Sequence, residues 1–405
     1  MDPVDPIQKF QQQFGTPAPF FQPIVSVADG LIYSYEVLGR GIRDGQVSSL
    51  GPFFLNDDID LDERMLIDRI IREKAIHRIA AIPGADRLFI NIHPAWIFNF
   101  QNSAEEFPSI RMLREAGLHG DHLTIEITEQ TIHLADFDRL NRLIDRYREQ
   151  NIKIAVDDFS YPDFDRLISI KPDFVKLDIR LFKKGVESED YRKLIEYIAS
   201  FSLELGISVV FEGVENLSEL ELAIECGGNY IQGFFLSEPI AEPRDDRSRY
   251  RDTIQLGLNN VYYRQINDLQ NIMKIEKNMN RYLTLVLERE QVFQSANLDE
   301  GISRILDFVP PQCFRLFVCD AAGVQRSSNF VRDRDADSFQ IQPEYRGYNW
   351  CWRPYFLNNL VRMREYHQGV VSEKYIDVET RHYTLTYSHP ISEDLFLFLD
   401  FFSNT

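Results

Sequence analysis

The chain has 405 residues, 44% of them hydrophobic and 26% charged, and its 63 acidic against 44 basic side chains leave a formal net charge of −19. That length suits two or three domains, each large enough to bury a core, and the acidic balance argues against a nucleic-acid polymer or an anionic membrane surface as partner. No apolar run approaches the roughly 18 residues of a membrane helix. The opening "MDPVDPIQKF" lacks the basic start and apolar core of a secretion signal. Cys226, Cys313, Cys319 and Cys351 have no zinc-type spacing, so a cytoplasmic protein with reduced core thiols is expected.

Up to about residue 240, short β-branched runs alternate with longer amphipathic stretches. In order, the strand candidates are "QPIVSV", "LIYSYEVL", "RLFINI", "HLTIEIT", "IKIAVDDF", "DFVKLDI", "ISVVFEG" and "NYIQGFF". The first two, joined by the short "ADG" turn, read as a hairpin, which sets the first strand antiparallel to the rest. Helical patterns such as "ERMLIDRIIREKAIHRIA" and "YRKLIEYIASFSLELG" lie between the later ones, the second closed by Gly206 as C-cap. Alternating strand and helix predicts a parallel sheet, and this number of strands a TIM-type (β/α)8 barrel over residues 1–243.

Residues 244–295 place Ile254, Leu258 and Val261, then Ile266, Leu269 and Met273, at steps of three and four. That predicts one long helix, either a linker or dimer-forming stalk or a helix lying flat on the barrel. Residues 296–405 carry strand-like runs joined by polar turns, with few helices, and read as a small α+β domain on an antiparallel sheet. There Trp350, Trp352, Arg353 and Tyr355 fit two arrangements: a small-molecule pocket with Arg353 facing an anion, or core aromatics with Arg353 in a structural ion pair.

Polar side chains recur at the ends of the barrel strands. Glu36 follows "LIYSY", Asn91 ends "RLFI", Glu126 lies in "LTIEIT", Asp157 and Asp158 follow "KIAV", Lys176 and Asp178 flank Leu177, Glu212 follows "ISVVF" and Gln232 ends "NYI". The C-terminal strand ends of such a barrel converge on one face. Any one acid there could cap a helix or pair with a cation, but five carboxylates and an Asn together suit oxygen-loving Mg²⁺ or Mn²⁺ better than zinc. Two adjacent Asp at the end of a buried strand also need a cation beside them, because desolvating like charges together costs several kcal/mol.

The motifs "EVLGR", "NIHP", "EITE", "VDDF", "VKLD", "FEGVE" and "IQGFFLSEP" follow one another as they do in EAL-domain cyclic di-GMP phosphodiesterases, a resemblance spanning residues 20–241. The C-terminal stretch, with "NWCWRPYFLNNLVRMR" and the "SHPI…LFLFLD" ending, resembles the PAS-like domain of YkuI-type members of that family. The resemblance implies Glu36, Asn91, Glu126, Asp157 and Asp158 as ligands of Mg²⁺ or Mn²⁺, with two ions expected. It implies Lys176 and Glu212 as the catalytic pair that holds and deprotonates the attacking water. Arg40, Gln232, Leu38 and Pro94 would contact the nucleotide, while Glu129, Asp178 and Glu215 would support the site. The implied reaction opens cyclic di-GMP to linear pGpG in a homodimer regulated by the C-terminal domain, which could hold its own small-molecule ligand.

Two departures stand out. Val37 replaces the Ala of the Glu-Ala-Leu signature but leaves the ligand. After "DDF" the family carries a Gly-rich stretch, whereas this chain reads Ser160-Tyr161-Pro162-Asp163-Phe164-Asp165 without a glycine, which removes backbone freedom. An alternative is therefore a receptor that binds cyclic di-GMP with little turnover and signals through the helix. A scaffold that binds no nucleotide would have no use for Lys176, Glu212 and the five ligands.

Overall fold

The computed structural model describes residues 6–402 apart from 57, 83–85, 94–105, 128–136, 160–163, 290–292, 294–296 and 334–337. The chain divides into two compact units, Met1–Tyr262 and Tyr263–Thr405. No helix among the described residues is long and apolar enough to cross a membrane.

The first unit carries strands β1 (Thr16–Ser26), β2 (Ile32–Arg43), β3 (Gln46–Ser49), β4 (Arg87–Ile92), β5 (Leu123–Ile127), β6 (Lys153–Phe159), β7 (Phe174–Leu177), β8 (Ser208–Phe211) and β9 (Tyr230–Ile231). Their order, β1-β9-β8-β7-β6-β5-β4-β2, closes on itself through the β1–β2 pairing, and β3 is appended to β2. This is a closed eight-stranded barrel with helices in the connections, as the alternating pattern predicts. The strands from β2 and β4 round to β9 pair in parallel, and β1 runs antiparallel to both β2 and β9, as the hairpin requires. Helices form at Leu61–Ala80 and Glu189–Glu204, and Gly206 follows the second with φ +75°, a left-handed position that suits glycine.

Strand alternation decides what faces the barrel axis. Leu88, Ile90, Ile125, Ile127, Ile154, Val156, Val175, Leu177, Val209 and Phe211 join the large core shared with the helices. The intervening Ile24, Phe89, Ala155, Phe174 and Val210 form a separate small cluster that fills the barrel interior. Two residues further along the same strands come Asn91, Asp157, Lys176 and Glu212. A period of two puts these on the same side as the apolar plug, one layer nearer the open end. The packed layer is thus the floor on which the polar layer stands.

In the second unit, β10 (Cys313–Asp320), β11 (Asn329–Asp333), β12 (Ser338–Gln342), β13 (Val370–Val371), β14 (Tyr375–Ile376), β15 (Tyr383–Pro390) and β16 (Leu395–Phe402) form one antiparallel sheet. Leu316, Val318, Leu397 and Leu399 pack on one face with Met279, Leu283, Ile302 and Ile305. Phe317, Cys319, Phe396 and Phe398 pack on the other with Phe356, Leu360 and Met363 of the helix Phe356–Tyr366. A single helix, Arg251–Arg289, occupies the segment where one long helix is expected.

Three expectations for this unit are corrected or decided. Within a segment expected to be mostly strands, the stretch "YFLNNLVRM" is helical because Phe356, Leu360 and Met363 recur at helical spacing on the sheet. Cys351 is exposed, whereas Cys226, Cys313 and Cys319 are buried free thiols. Arg353 is buried against Asp377 at 2.7 Å and lies 4.5 Å from the Trp350 ring, so it serves a structural ion pair and not an anion pocket. Asp377 also meets Arg315 at 2.7 Å, and Arg315 holds Asp400 at 2.6 Å.

His389 shares its Nδ1 with the Tyr387 hydroxyl at 2.8 Å. Burial pushes its pKa down to about 4. Because the folded pKa lies below the unfolded value, the native unit refuses a proton that the unfolded chain accepts. The resulting stability is complete above about pH 6.5 and falls as the pH drops towards 4, by on the order of 3 kcal/mol. Melting curves between pH 7.5 and 4.5 should therefore decline less steeply for His389→Gln than for the wild type.

Candidate metal centre

At the open end of the barrel, one ammonium organises the polar layer. Lys176, on β7 and 1% exposed, sets its Nζ 3.1 Å from Glu36 Oε2, 2.9 Å from Glu126 Oε1, 3.3 Å from Asp157 Oδ1 and 2.6 Å from Glu212 Oε1. Burial alone would lower its pKa, but Asp157, Glu126, Glu212 and Glu36 outweigh burial and hold it well above the ordinary lysine value.

The carboxylates respond to the same surroundings in different ways. Glu36 accepts hydrogen bonds from Gln232 Nε2 at 2.6 Å and Asn91 Nδ2 at 3.0 Å. Burial works to raise its pKa, yet Lys176 and those amides bring it below the ordinary value. Glu126 is fully buried, and burial, reinforced by Glu36 and Asp157 against the pull of Lys176, drives its pKa well up. Its Oε2 has no hydrogen-bond partner among the described residues. Burial likewise pushes Glu212 up to about 8, against Lys176.

Asp157 and Asp158 answer the question their adjacency raises. A regular strand would aim neighbours at opposite faces. Here Ala155 and Val156 pair with Phe174 and Val175, but the next pairing is Phe159 with Leu177, so β6 has one residue more than β7. Asp158 sits in that bulge with φ +50°. A bulge re-aims a side chain, and Asp tolerates this left-handed backbone better than most non-glycine residues. As a result, ligand atoms of Asp157, Asp158 and Glu212 all lie within 4.8 Å of one another. The family resemblance implies Glu212 as a base; the structure also brings it close enough to Asp157 and Asp158 for the three carboxylates to share a cation.

These residues fit hard divalent cations. The donors are all oxygen, a buried Glu126 oxygen has no hydrogen-bond donor among the described residues, and Asn91 directs its amide nitrogen at Glu36, which leaves its oxygen as the atom that could ligate. Glu36, Asn91, Glu126, Asp157, Asp158 and Glu212 would hold the ions. A cavity of about 220 Å³ opens beside them, lined by Gln22, Glu36, Glu212, Glu215, Gln232 and Phe234 among others.

The remaining predicted residues take separate places. Gln232 joins the site, donating to Glu36 and, at 3.2 Å, to Gln22 Oε1. Gln22 was not anticipated; its one signal is a buried amide in an otherwise apolar strand. Arg40, half-buried on β2, donates to the Gly39 carbonyl at 2.9 Å and lies 6.0 Å from the Phe20 ring. Leu38 lies between it and Glu36 on the same strand. Asp178 begins the helix after β7. It caps the helix Ile179–Glu187, accepting from the Arg180 amide at 2.6 Å and pairing with its guanidinium. Its own N–H donates to the Phe159 carbonyl at 3.2 Å, which ties the end of β7 to the residue after the bulge. Glu215 faces the cavity rim and pairs with Lys183 at 3.0 Å. Gly213, beside Glu212, has φ +65°, and a Cβ there would lie 2.0 Å from Ile179. Pro94, Glu129 and the Ser160–Asp163 loop lie outside the described residues.

The EAL domain model matches residues 8–239, and a model described as an EAL-domain associated signalling protein domain matches residues 246–404. The uncharacterized EAL-domain protein YkuI of Bacillus subtilis is 27% identical over 406 residues, which covers 99% of this chain and 97% of YkuI. Its crystal structure with cyclic di-GMP and calcium aligns over 100% of both chains with a TM-score of 0.88 at 26% identity. The cyclic di-GMP phosphodiesterase RocR of Pseudomonas aeruginosa is 27% identical over 229 residues, 55% of this chain and 57% of RocR. The oxygen sensor protein DosP of Escherichia coli is 31% identical over 231 residues, of which the chain spans only 28% of DosP. With the model matched across the whole barrel, and the motif acids gathered at its open end, the chain belongs to the EAL-domain family.

Proposed function

We propose that this protein hydrolyses cyclic di-GMP to linear 5′-pGpG, using two Mg²⁺ or Mn²⁺ ions held by Glu36, Asn91, Glu126, Asp157, Asp158 and Glu212. The observation that carries this reading is the convergence of four carboxylates within 3.3 Å of one buried ammonium, at the mouth of a barrel whose family includes RocR. Bound there, such ions supply charge neutralisation and an acidified water. The protein's residues do the rest. Lys176 donates to the attacking water or the departing oxygen, and Glu212, besides its place among the ligands, takes a proton from that water. Arg40 faces a phosphate, while Gln232, Leu38 and Pro94 hold the nucleotide. The water oxygen bonds to phosphorus, one P–O3′ bond breaks, and the freed O3′ takes up a proton.

On this reading residues 1–243 are the catalytic barrel, 244–295 a helical linker and 296–405 a PAS-like regulatory domain, in a cytoplasmic homodimer. The glycine-free Ser160–Asp165 sequence favours one second reading, a receptor that binds cyclic di-GMP and turns it over slowly. Calorimetric titration with cyclic di-GMP in Ca²⁺ tests what the two share. Saturable one-to-one binding per barrel, lost on chelation, supports a metal-dependent nucleotide site; absence of binding overturns both.

A further inference from the structure

The Lys176 ammonium makes more close contacts than a group that only touches a water needs. It lies within 3.3 Å of oxygens from four carboxylates on four different strands or strand ends, and it is 1% exposed. No water shell can stabilise its charge, and among the described residues no other Lys or Arg lies within ion-pair distance of Glu36, Glu126, Asp157 or Glu212, Arg40 acting on Glu36 only from further off. The oxygens it holds belong to the residues assigned above as cation ligands. Glu126 Oε1 and Asp157 Oδ1 have no partner other than this ammonium among the described residues.

We infer that Lys176 is the resident counter-cation of the metal-free site, holding the carboxylates in place before divalent ions arrive and competing with those ions for the same oxygens. Two consequences follow from charge alone. Without Lys176 the metal-free barrel buries mutually repelling carboxylates with no compensating cation, so it must be destabilised or must bind protons. With Lys176 present, each incoming cation meets a fixed positive charge in a buried, weakly screened setting, so Lys176 keeps metal affinity below what the carboxylates alone would give. The protein thereby has a preformed site that stays folded without metal and releases metal readily. This rests on the metal site of the proposed function, but its first consequence does not need any metal to bind.

The test uses the full chain, with Lys176→Met as a near-isosteric neutral variant, melted metal-free and in saturating Ca²⁺, with Ca²⁺ affinity measured by calorimetry. The expected result is a metal-free barrel transition about 10 °C or more below wild type. Ca²⁺ should recover most of that gap and bind the variant at least about tenfold more tightly than the wild type. If the variant does not fold without metal, refolding in Ca²⁺ decides: recovery supports the inference and failure overturns it. A metal-free melt equal to wild type, or an unchanged or weaker Ca²⁺ affinity, overturns it as well. A wild type indifferent to Ca²⁺ but still more stable than the metal-free variant would retain the counter-cation and remove the metal reading instead.

Discussion

Asp157→Asn lowers Mg²⁺- or Mn²⁺-dependent turnover of cyclic di-GMP by at least about 100-fold while leaving the metal-free barrel as stable as wild type or more so. The two halves of this expectation have separate causes. Turnover falls because Asp157 takes part both in the Lys176 cluster, at 3.3 Å, and in the group formed with Asp158 and Glu212. Stability holds because Asn keeps the shape of Asp and removes a charge that works to raise the pKa of Glu126 and Glu212. The initial rate of pGpG formation, measured beside a thermal melt, checks both. Loss of activity together with unfolding would make Asp157 a structural residue.

Asp158 allows backbone and ligand to be separated. Its φ of +50° is left-handed, which Asn tolerates about as well as Asp and a β-branched residue does not. Asp158→Asn should therefore melt like the wild type and lose on the order of 100-fold in turnover. Asp158→Val should lose the same activity and also melt several degrees lower, since such strain costs about 1–3 kcal/mol. Equal melting of the two variants would show that the bulge is not held in the left-handed form.

Much of this centre is legible in the sequence because a barrel turns strand ends into a converging layer. "RLFIN", "LTIE", "KIAVD", "FVK" and "VVFE" each end an apolar run on a polar residue, and alternation alone places Asn91, Asp157, Lys176 and Glu212 above Phe89, Ala155, Phe174 and Val210. What alternation cannot supply is an exception to itself. "VDD" reads as one carboxylate inward and one outward, and the extra residue that changes this leaves no glycine or asparagine as a signal. The helix-capping role of Asp178 escapes alternation for a related reason. Its spacing from Lys176 puts both on one strand face, but the strand stops at Leu177 and the side chain becomes a helix cap. In the second unit, Arg353 stood between two arrangements because its partner Asp377 lies 24 residues away, a separation that no local pattern reports.

Incubation of the full chain with cyclic di-GMP and Mn²⁺, followed by chromatography of the nucleotides, tests the hydrolase most directly. The account predicts that cyclic di-GMP disappears, that linear pGpG appears in equal molar amount, and that chelating the metal stops both. Intact cyclic di-GMP over hours of incubation, with the nucleotide bound and the barrel folded, would contradict it.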